Sequence, residues 1–547
     1  MKPPSESNQR GICRLTQVII HLLQTIVVLL VIHFNLRQTF AGPAPVIPTA
    51  VQARMAFVVT NGYCVGVVAG LVNSNGVTFF SYGRKSLDSD EQVDEDSLFE
   101  IGSVTKTFTG TVLSELELAG DLVLTNAIQP YLPSSVQIPS RGGKVINFQH
   151  LATHTSGLPG VPSNLTNAFQ NAYADYPLES LYSFLNSYTL PRNPGVKFEY
   201  SNLGVGLLGH ILSRHLRQDY ETIIRERITQ RLGMPDTVIT LDSGQRRRLA
   251  KPHGGVYPVS NWDFSEAFVG MGSIRSTARD MVRYISANMG LYPSEIHPAL
   301  TNAHRLRFSS ADSRIGLAWF RSFVRTDGLG TISHTGGTGG YNVAIGWVPT
   351  LNVGAVVLCN TDGLSSISSD IWARLIDPGF TMPSLPIPAK VPLSGLQQKV
   401  GWYVGTNSPN DAFHIVLTNG FLAEVYSGDG GWGTTLYPKA TNNFLAQDIG
   451  ATCHFTTDTN GLTASLVWNQ GVTVTYARRR EISRLAITRL DHQLEVSLSG
   501  DADRKFGIQG SVDLLHWVPF STNSIWDNPI PLLISAQEPT RFFRLVE

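Results

Sequence analysis

Two β-rich regions, one close to the start of the chain and one far along it, constrain the fold more than any other feature. Cys64 to Asn73 and Val77 to Tyr82 are joined around Asn75-Gly76. Because both central residues of a tight turn tolerate positive φ there, the pair predicts a hairpin. Gly316 to Val324, Thr331 to His334, Tyr341 to Val348 and Val353 to Asn360 read as further strands, separated by Asp327-Gly328, Gly336-Gly337 and Pro349 to Asn352. From Asp121 to about Ala250 the pattern is mixed and mostly helical, broken by loops such as Thr155 to Asn164 and Arg192 to Gly195. Strands at both ends with helices between them predict an α+β domain, its antiparallel sheet built from both ends of the segment and covered by helices.

The stretch Phe99-Glu100-Ile101-Gly102-Ser103-Val104-Thr105-Lys106-Thr107-Phe108 reads as a strand end passing into a helix through one glycine. The helix continues on an apolar stripe of Phe108, Val112, Leu113, Leu116 and Ala119 and stops at Gly120. Ser103 and Lys106 stand three apart, about one helical turn, which brings a hydroxyl and an amine within hydrogen-bonding reach. A serine hydroxyl needs a neighbouring base, and a lysine serves as one only if burial or a nearby cation lowers its pKa. The helix N-terminus adds free backbone N–H groups and a positive dipole end, which favour an oxyanion beside Ser103. The same spacing also arises on ordinary exposed helices, so the pair carries weight only with partners elsewhere.

At 547 residues the chain exceeds what one core supports, and its length suggests about three or four domains. Lys+Arg 42 against Asp+Glu 42 leaves no net charge to steer it toward nucleic acid or an anionic membrane. Lys2, Arg10 and Arg14 precede an apolar run from Val18 to Phe34, and Thr39-Phe40-Ala41 follows. This predicts a signal peptide over residues 1–41, cleaved after Ala41, and hence a periplasmic or secreted protein. His21, Gln24, Thr25 and His33 interrupt the run and argue against a stable span, an uncleaved anchor being the alternative. The mature chain would keep Cys64, Cys359 and Cys453, an odd and sparse set that reads as buried thiols.

The first domain is expected over 42–380. Pro378, Pro383, Pro386, Pro388 and Pro392 mark a stiff linker, placed at 381–395. Residues 396–480 alternate short β runs with turns such as Gly428-Asp429-Gly430-Gly431 and Asn460-Gly461, predicting a small antiparallel barrel or sandwich that ends at Arg478-Arg479-Arg480. Residues 482–547 predict a last β module with strands at Phe506 to Gln509, Leu515 to Trp517 and Arg541 to Leu545. Neither unit has a titratable cluster that suggests chemistry; the expectations for them are contact with the cell wall or envelope or, for residues 482–547, a structural or sorting module.

Two more stretches strengthen the Ser-Lys signal. Tyr200-Ser201-Asn202 follows a Pro-Gly loop and opens a helix with Leu203, Leu207, Leu208 and Ile211. His334-Thr335-Gly336-Gly337 ends a strand with two glycines, where backbone can approach a ligand closely. Each has a plainer reading: Tyr200 as a core aromatic, Asn202 as a helix cap, His334 as a satisfied strand histidine. His150 and His154 stand four apart, but the acidic residue of a zinc-hydrolase helix is missing, and a hydrogen-bonded role in a turn is the better reading. Ser276 to Asp280 looks like a helix start, with Thr277 and Asp280 at capping-box spacing.

Taken in order, Ser103-Val104-Thr105-Lys106, Tyr200-Ser201-Asn202 and His334-Thr335-Gly336 resemble the penicillin-recognising serine hydrolases, in the branch of class C β-lactamases and serine D-Ala-D-Ala carboxypeptidases. Leu151 to Pro159 and Gly272 to Met281 support the resemblance, which spans roughly residues 50 to 375. Asn126 to Pro159 and Leu232 to Leu249 are most similar to AmpH-type carboxypeptidase/endopeptidases, and residues 396–480 resemble the small β-domain appended to such hydrolases. The resemblance implies a β-lactamase/transpeptidase-like catalytic domain: an antiparallel sheet flanked by helices, plus a helical subdomain.

It also implies roles. Ser103 would be the acylated nucleophile, Lys106 would deprotonate it, and Tyr200 would shuttle a proton to the leaving nitrogen and help activate the deacylating water, with either Lys106 or Tyr200 as the dominant base. Asn202 would hold a substrate amide, and His334, Thr335, Gly336 and Gly337 would line the substrate, with the N–H groups of Ser103 and Gly337 as the oxyanion hole. His334 stands where many lactamases have lysine, so the positive field there should depend on pH. Gly337 lacks a hydroxyl that some relatives place there. No metal or cofactor is implied. The expected activity is that of an exported serine hydrolase forming an acyl-enzyme on D-Ala-D-Ala-type peptides of peptidoglycan. The alternatives are a class C type β-lactamase acting on β-lactam amides, an esterase, and a non-catalytic penicillin-binding or sensor protein.

Overall fold

A computed structural model describes residues 43–546 apart from 166–170, 172, 324–329, 363–365, 407, 427–432, 448, 460, 479–483, 491–492, 500–504, 512–517, 525–529 and 536–541. The predicted signal segment therefore lies outside the described residues, as does Leu515 to Trp517. Among the described residues, no helix is long and apolar enough to cross a membrane.

Helix α1 (Thr49–Thr60) leads into β1 (Gly66–Asn73) and β2 (Gly76–Gly83), whose register closes at Asn73 opposite Gly76, the hairpin expected at Asn75-Gly76. After β3 (Leu98–Glu100) come the central helix α2 (Thr105–Ala119) and α3 (Asn202–Leu216). A two-residue hairpin, β4 (His253–Gly254) and β5 (Tyr257–Pro258), precedes β6 (Arg275–Thr277) and α4 (Ala278–Asn288). The sheet is then completed by β7 (Phe308–Ser309), β8 (Arg314–Ile315), β9 (Phe320–Phe323), β10 (Gly330–Thr338), β11 (Tyr341–Val348) and β12 (Val353–Cys359), followed by α5 (Ser366–Ile376).

The eight-stranded sheet has the order β2-β1-β12-β11-β10-β9-β8-β7, so β1 from the start of the domain pairs antiparallel with β12 from its end. Period-2 alternation divides β1 between two cores. Val68 and Val72 face the one built on α2 and α4, while Val67, Ala69 and Leu71 face the one built on α1 and α5. Both faces are covered, which explains why β1, β11 and β12 are apolar almost throughout. Each fully buried aliphatic side chain there contributes roughly 1.5–3 kcal/mol. Cys64, Cys359 and Cys453 are buried and free, as expected.

Three expectations are corrected. Gly336-Gly337 does not separate strands; both lie inside β10, and the turn falls at Gly339-Gly340. The run from Gly316 is not one strand, because Ala318 takes a left-handed φ of 64° and bends the chain between β8 and β9. At α4 only half of the capping box forms. Thr277 accepts from the Asp280 N–H at 3.1 Å, but the Asp280 carboxylate turns to the Asp236 N–H and the Thr237 hydroxyl.

Beyond the Pro-rich segment, eight antiparallel strands from Gly401–Gly405 to Val472–Arg478 close into a barrel, deciding between barrel and sandwich. The Pro-rich segment is itself packed: the Tyr63 hydroxyl donates to Pro386 O at 2.8 Å and Ala389 N to Pro438 O at 2.6 Å. The last strands form two three-stranded sheets, which include Lys505–Ser511 and Phe542–Val546.

Candidate active site

Gly102 starts the site. Its φ of +48° reverses the chain after β3, and Gly102–Val104 forms a single 3-10 turn before α2 begins. Ser103 is thus presented at the mouth of a buried helix, one turn from Lys106. The mouth is pinned from below: Ile101 N donates to Ile274 O at 3.0 Å, and Ile274 N to Thr105 Oγ1 at 3.1 Å. Glu100, just upstream, is buried against Arg275 at 3.4 Å and accepts from Asn261 at 2.7 Å.

Lys106 is fully buried, and its Nζ donates to Ser103 Oγ at 2.9 Å and to Met271 O at 2.8 Å. No carboxylate is among these partners, so burial drives its pKa well below 10.5. A neutral amine next to a serine hydroxyl is the arrangement a general base requires. Tyr200 closes the other side: its phenol lies near Ser103 on the same cleft, and Lys106 Nζ lies 5.1 Å from its ring centre. Burial pushes the phenol up to about 12, so Tyr200 holds its proton at neutral pH.

The Thr153 to Pro159 loop holds Tyr200 in place. Glu199 N donates to His154 O at 2.8 Å, Ser201 N to His154 Nδ1 at 3.1 Å, and the Ser201 hydroxyl to Pro159 O at 2.6 Å. His154 adopts φ 56° and lays its ring 4.3 Å from that of Tyr200, while burial drives its pKa well below 6.5. His150 forms a capping box with Asn147. Both histidines therefore have structural tasks. Ser201, not Asn202, caps α3, accepting from Gly204 N at 2.9 Å. Asn202 contacts the Tyr173 phenol and keeps its Oδ1 buried without a partner.

The third wall is β10. β9 stops pairing opposite Ser333, which frees the following stretch of β10 to run against the helix mouth. A Cβ on Gly336 would lie 2.0 Å from Ile101 O, and one on Gly102 would lie 2.5 Å from Gly337 O. Only glycine permits this approach of backbone to backbone. Gly336→Ala is therefore expected to push β10 away from Ser103 and lower turnover about a hundredfold. Initial rates with an activated ester, taken alongside thermal unfolding, check this.

His334 lines the wall buried, with Nδ1 2.5 Å from Thr335 O and Phe320 at 5.3 Å. Burial lowers its pKa to about 3. This corrects the expected pH-dependent positive field: His334 is neutral throughout the ordinary pH range.

Ser103, Tyr200, Thr335, Gly336 and Gly337 share one open cleft of about 580 Å³, which also meets His334, Asn342 and Asp362. Lys106 lies beneath it, and Asn202 is not on its wall. Sequence reasoning missed the Met271 carbonyl, Asn342, Asp362 and the serines Ser366 and Ser369 that open α5. Met271 lies just ahead of Gly272 to Met281, the stretch that supported the resemblance, and that was its only trace in the sequence.

A buried lysine bonded to a serine at a helix mouth, under an antiparallel sheet with helices on both faces, defines a serine hydrolase of the β-lactamase/transpeptidase-like fold. The chain belongs to the Beta-lactamase family, whose profile matches residues 48–376. It is 28% identical over 317 residues to the D-alanyl-D-alanine-carboxypeptidase/endopeptidase AmpH of Escherichia coli K12, covering 55% of this chain and 80% of that protein. A β-lactamase of Pseudomonas fluorescens is 25% identical over 333 residues, covering 54% and 88%. Among solved structures, a β-lactamase/D-alanine carboxypeptidase from Yersinia pestis superposes with a TM-score of 0.53 at 26% identity, covering 60% of this chain and 98% of that one.

Proposed function

We propose that the protein is an exported hydrolase that cleaves D-Ala-D-Ala-type peptides of peptidoglycan through an acyl-enzyme, as a carboxypeptidase or endopeptidase. The observation that carries the reading is the 2.9 Å contact between Ser103 and a fully buried Lys106. The neutral amine takes the serine proton as Oγ attacks the substrate carbonyl, and the N–H groups of Ser103 and Gly337 receive the oxyanion. Tyr200, protonated at neutral pH, passes a proton to the leaving nitrogen and then helps activate the deacylating water. Thr335 and neutral His334 supply hydrogen bonds where some relatives supply charge. The D-alanyl substrate is drawn from the activity named for the Escherichia coli relative.

A second reading, a β-lactamase, is favoured by the names of other relatives. The two share acylation and differ in how fast water reaches the acyl-enzyme. Labelling with a fluorescent penicillin is expected to give a covalent adduct that persists for many turnover times. Rapid loss of the label supports the β-lactamase reading instead, and absence of label overturns both.

A further inference from the structure

The barrel lies outside the stretch matched by the family, yet it is connected to the cleft through backbone. Its strand Gly433–Pro438 packs on the hairpin of β4 and β5, and Thr435 Oγ1 accepts from Val256 N at 3.0 Å. Gly255, at φ +59°, lies so close that a Cβ there would sit 1.9 Å from the Thr435 oxygen. On its other side the same turn holds two edges of the cleft. Gly255 N donates to Asp362 O at 2.7 Å, Asp362 N to His253 O at 2.8 Å, and His253 N to Gly340 O at 3.3 Å. Asp362 meets the cleft, and Gly340 closes the turn beyond Gly336 and Gly337.

The barrel is also seated firmly. Tyr437 donates to Gly62 O at 3.0 Å and stacks on Tyr63 with ring centres 4.3 Å apart. A domain merely tethered by a linker would not need hydrogen bonds into the hairpin that holds the Asp362 edge of the cleft.

We infer that the barrel is a working part of the catalytic unit, and that Thr435 is a positioning residue holding the Asp362 wall of the cleft through the 253–258 hairpin. Thr435 touches neither Ser103 nor Lys106. Its influence falls on the wall that an extended substrate reaches and a small one does not. Removing the hydroxyl leaves the Val256 N–H unpaired, and a shift of the wall by a fraction of an ångström is enough to cost about tenfold in rate on a substrate that fills the cleft.

The test uses the full chain and two nitrophenyl esters, the acetate and an N-acylated D-alanyl peptide ester. Both react at an activated carbonyl, so the comparison does not depend on peptidase activity. A wild-type protein that hydrolyses both esters but leaves peptide bonds intact counts against the proposed substrate and not against this inference. Thr435→Val is expected to lower kcat/KM about tenfold on the peptide ester, chiefly through KM, and less than about twofold on the acetate, with Thr435→Ser restoring both. Thr435→Ala gives the same comparison should the valine variant fail to fold. Unchanged peptide-ester kinetics, or an equal loss on both esters that tracks a lowered Tm, would overturn the inference.

Discussion

A Ser103→Ala protein is expected to lose turnover of an activated ester by roughly four to six orders of magnitude and to take up no penicillin label. The variant removes one oxygen at a half-exposed position on a helix mouth held by the Ile101, Thr105 and Ile274 hydrogen bonds. The fold should therefore survive, with thermal unfolding close to wild type. Mass spectrometry of wild type and variant after incubation with a penicillin checks the result. Equal ester turnover by the two proteins would remove Ser103 from the chemistry and leave the binding or sensor alternative.

Lys106→Ala is expected to lower the acylation rate by about two to four orders of magnitude, the usual span for a general base. Lys106→Arg should fare no better, because a guanidinium keeps its proton whatever its surroundings. The pH profile separates base from scaffold. Burial lowers the Lys106 pKa well below 10.5, so the wild-type acylation rate should rise with pH through that lowered value and then level off. The Tyr200 phenol, pushed up to about 12, titrates too high to produce that limb.

The same shift has a sign in stability. Between the lowered pKa and 10.5 the unfolded chain binds a proton that the folded chain does not, so folding becomes more favourable as pH rises across that window. Below the lowered pKa the penalty is constant. Lys106→Ala should flatten this dependence, which denaturant unfolding at several pH values would show. A retained acidic limb in Lys106→Ala would assign the base to another group.

The glycines at positions 336 and 337 show where sequence reasoning stops. They read as a strand terminator because glycine weakens strands in general. Here the tertiary neighbour overrides propensity: β10 continues because the missing side chain of Gly336 faces the Ile101–Ser103 backbone. His334 shows the same limit for charge. The residue type suggests titration near neutrality, and only burial beside Phe320 and Lys106 removes it.

Much of the design was nevertheless local and therefore legible. The Asn75-Gly76 hairpin, the buried helix stripe from Phe108 to Leu116 with the helix stop at Gly120, and the one-turn spacing of Ser103 and Lys106 depend on residues a few positions apart, where periodicity and turn preference act directly. The sequence by itself determined which residues could do the chemistry and that the sheet draws on both ends of the domain. Only the tertiary structure decided that Lys106 is dry enough for its pKa to fall well below the usual lysine value, that the Met271 carbonyl orients it, and that a barrel threonine braces the far wall of the cleft. Those properties depend on dehydration and on contacts between segments distant in sequence, and neither is written in any short run of residues.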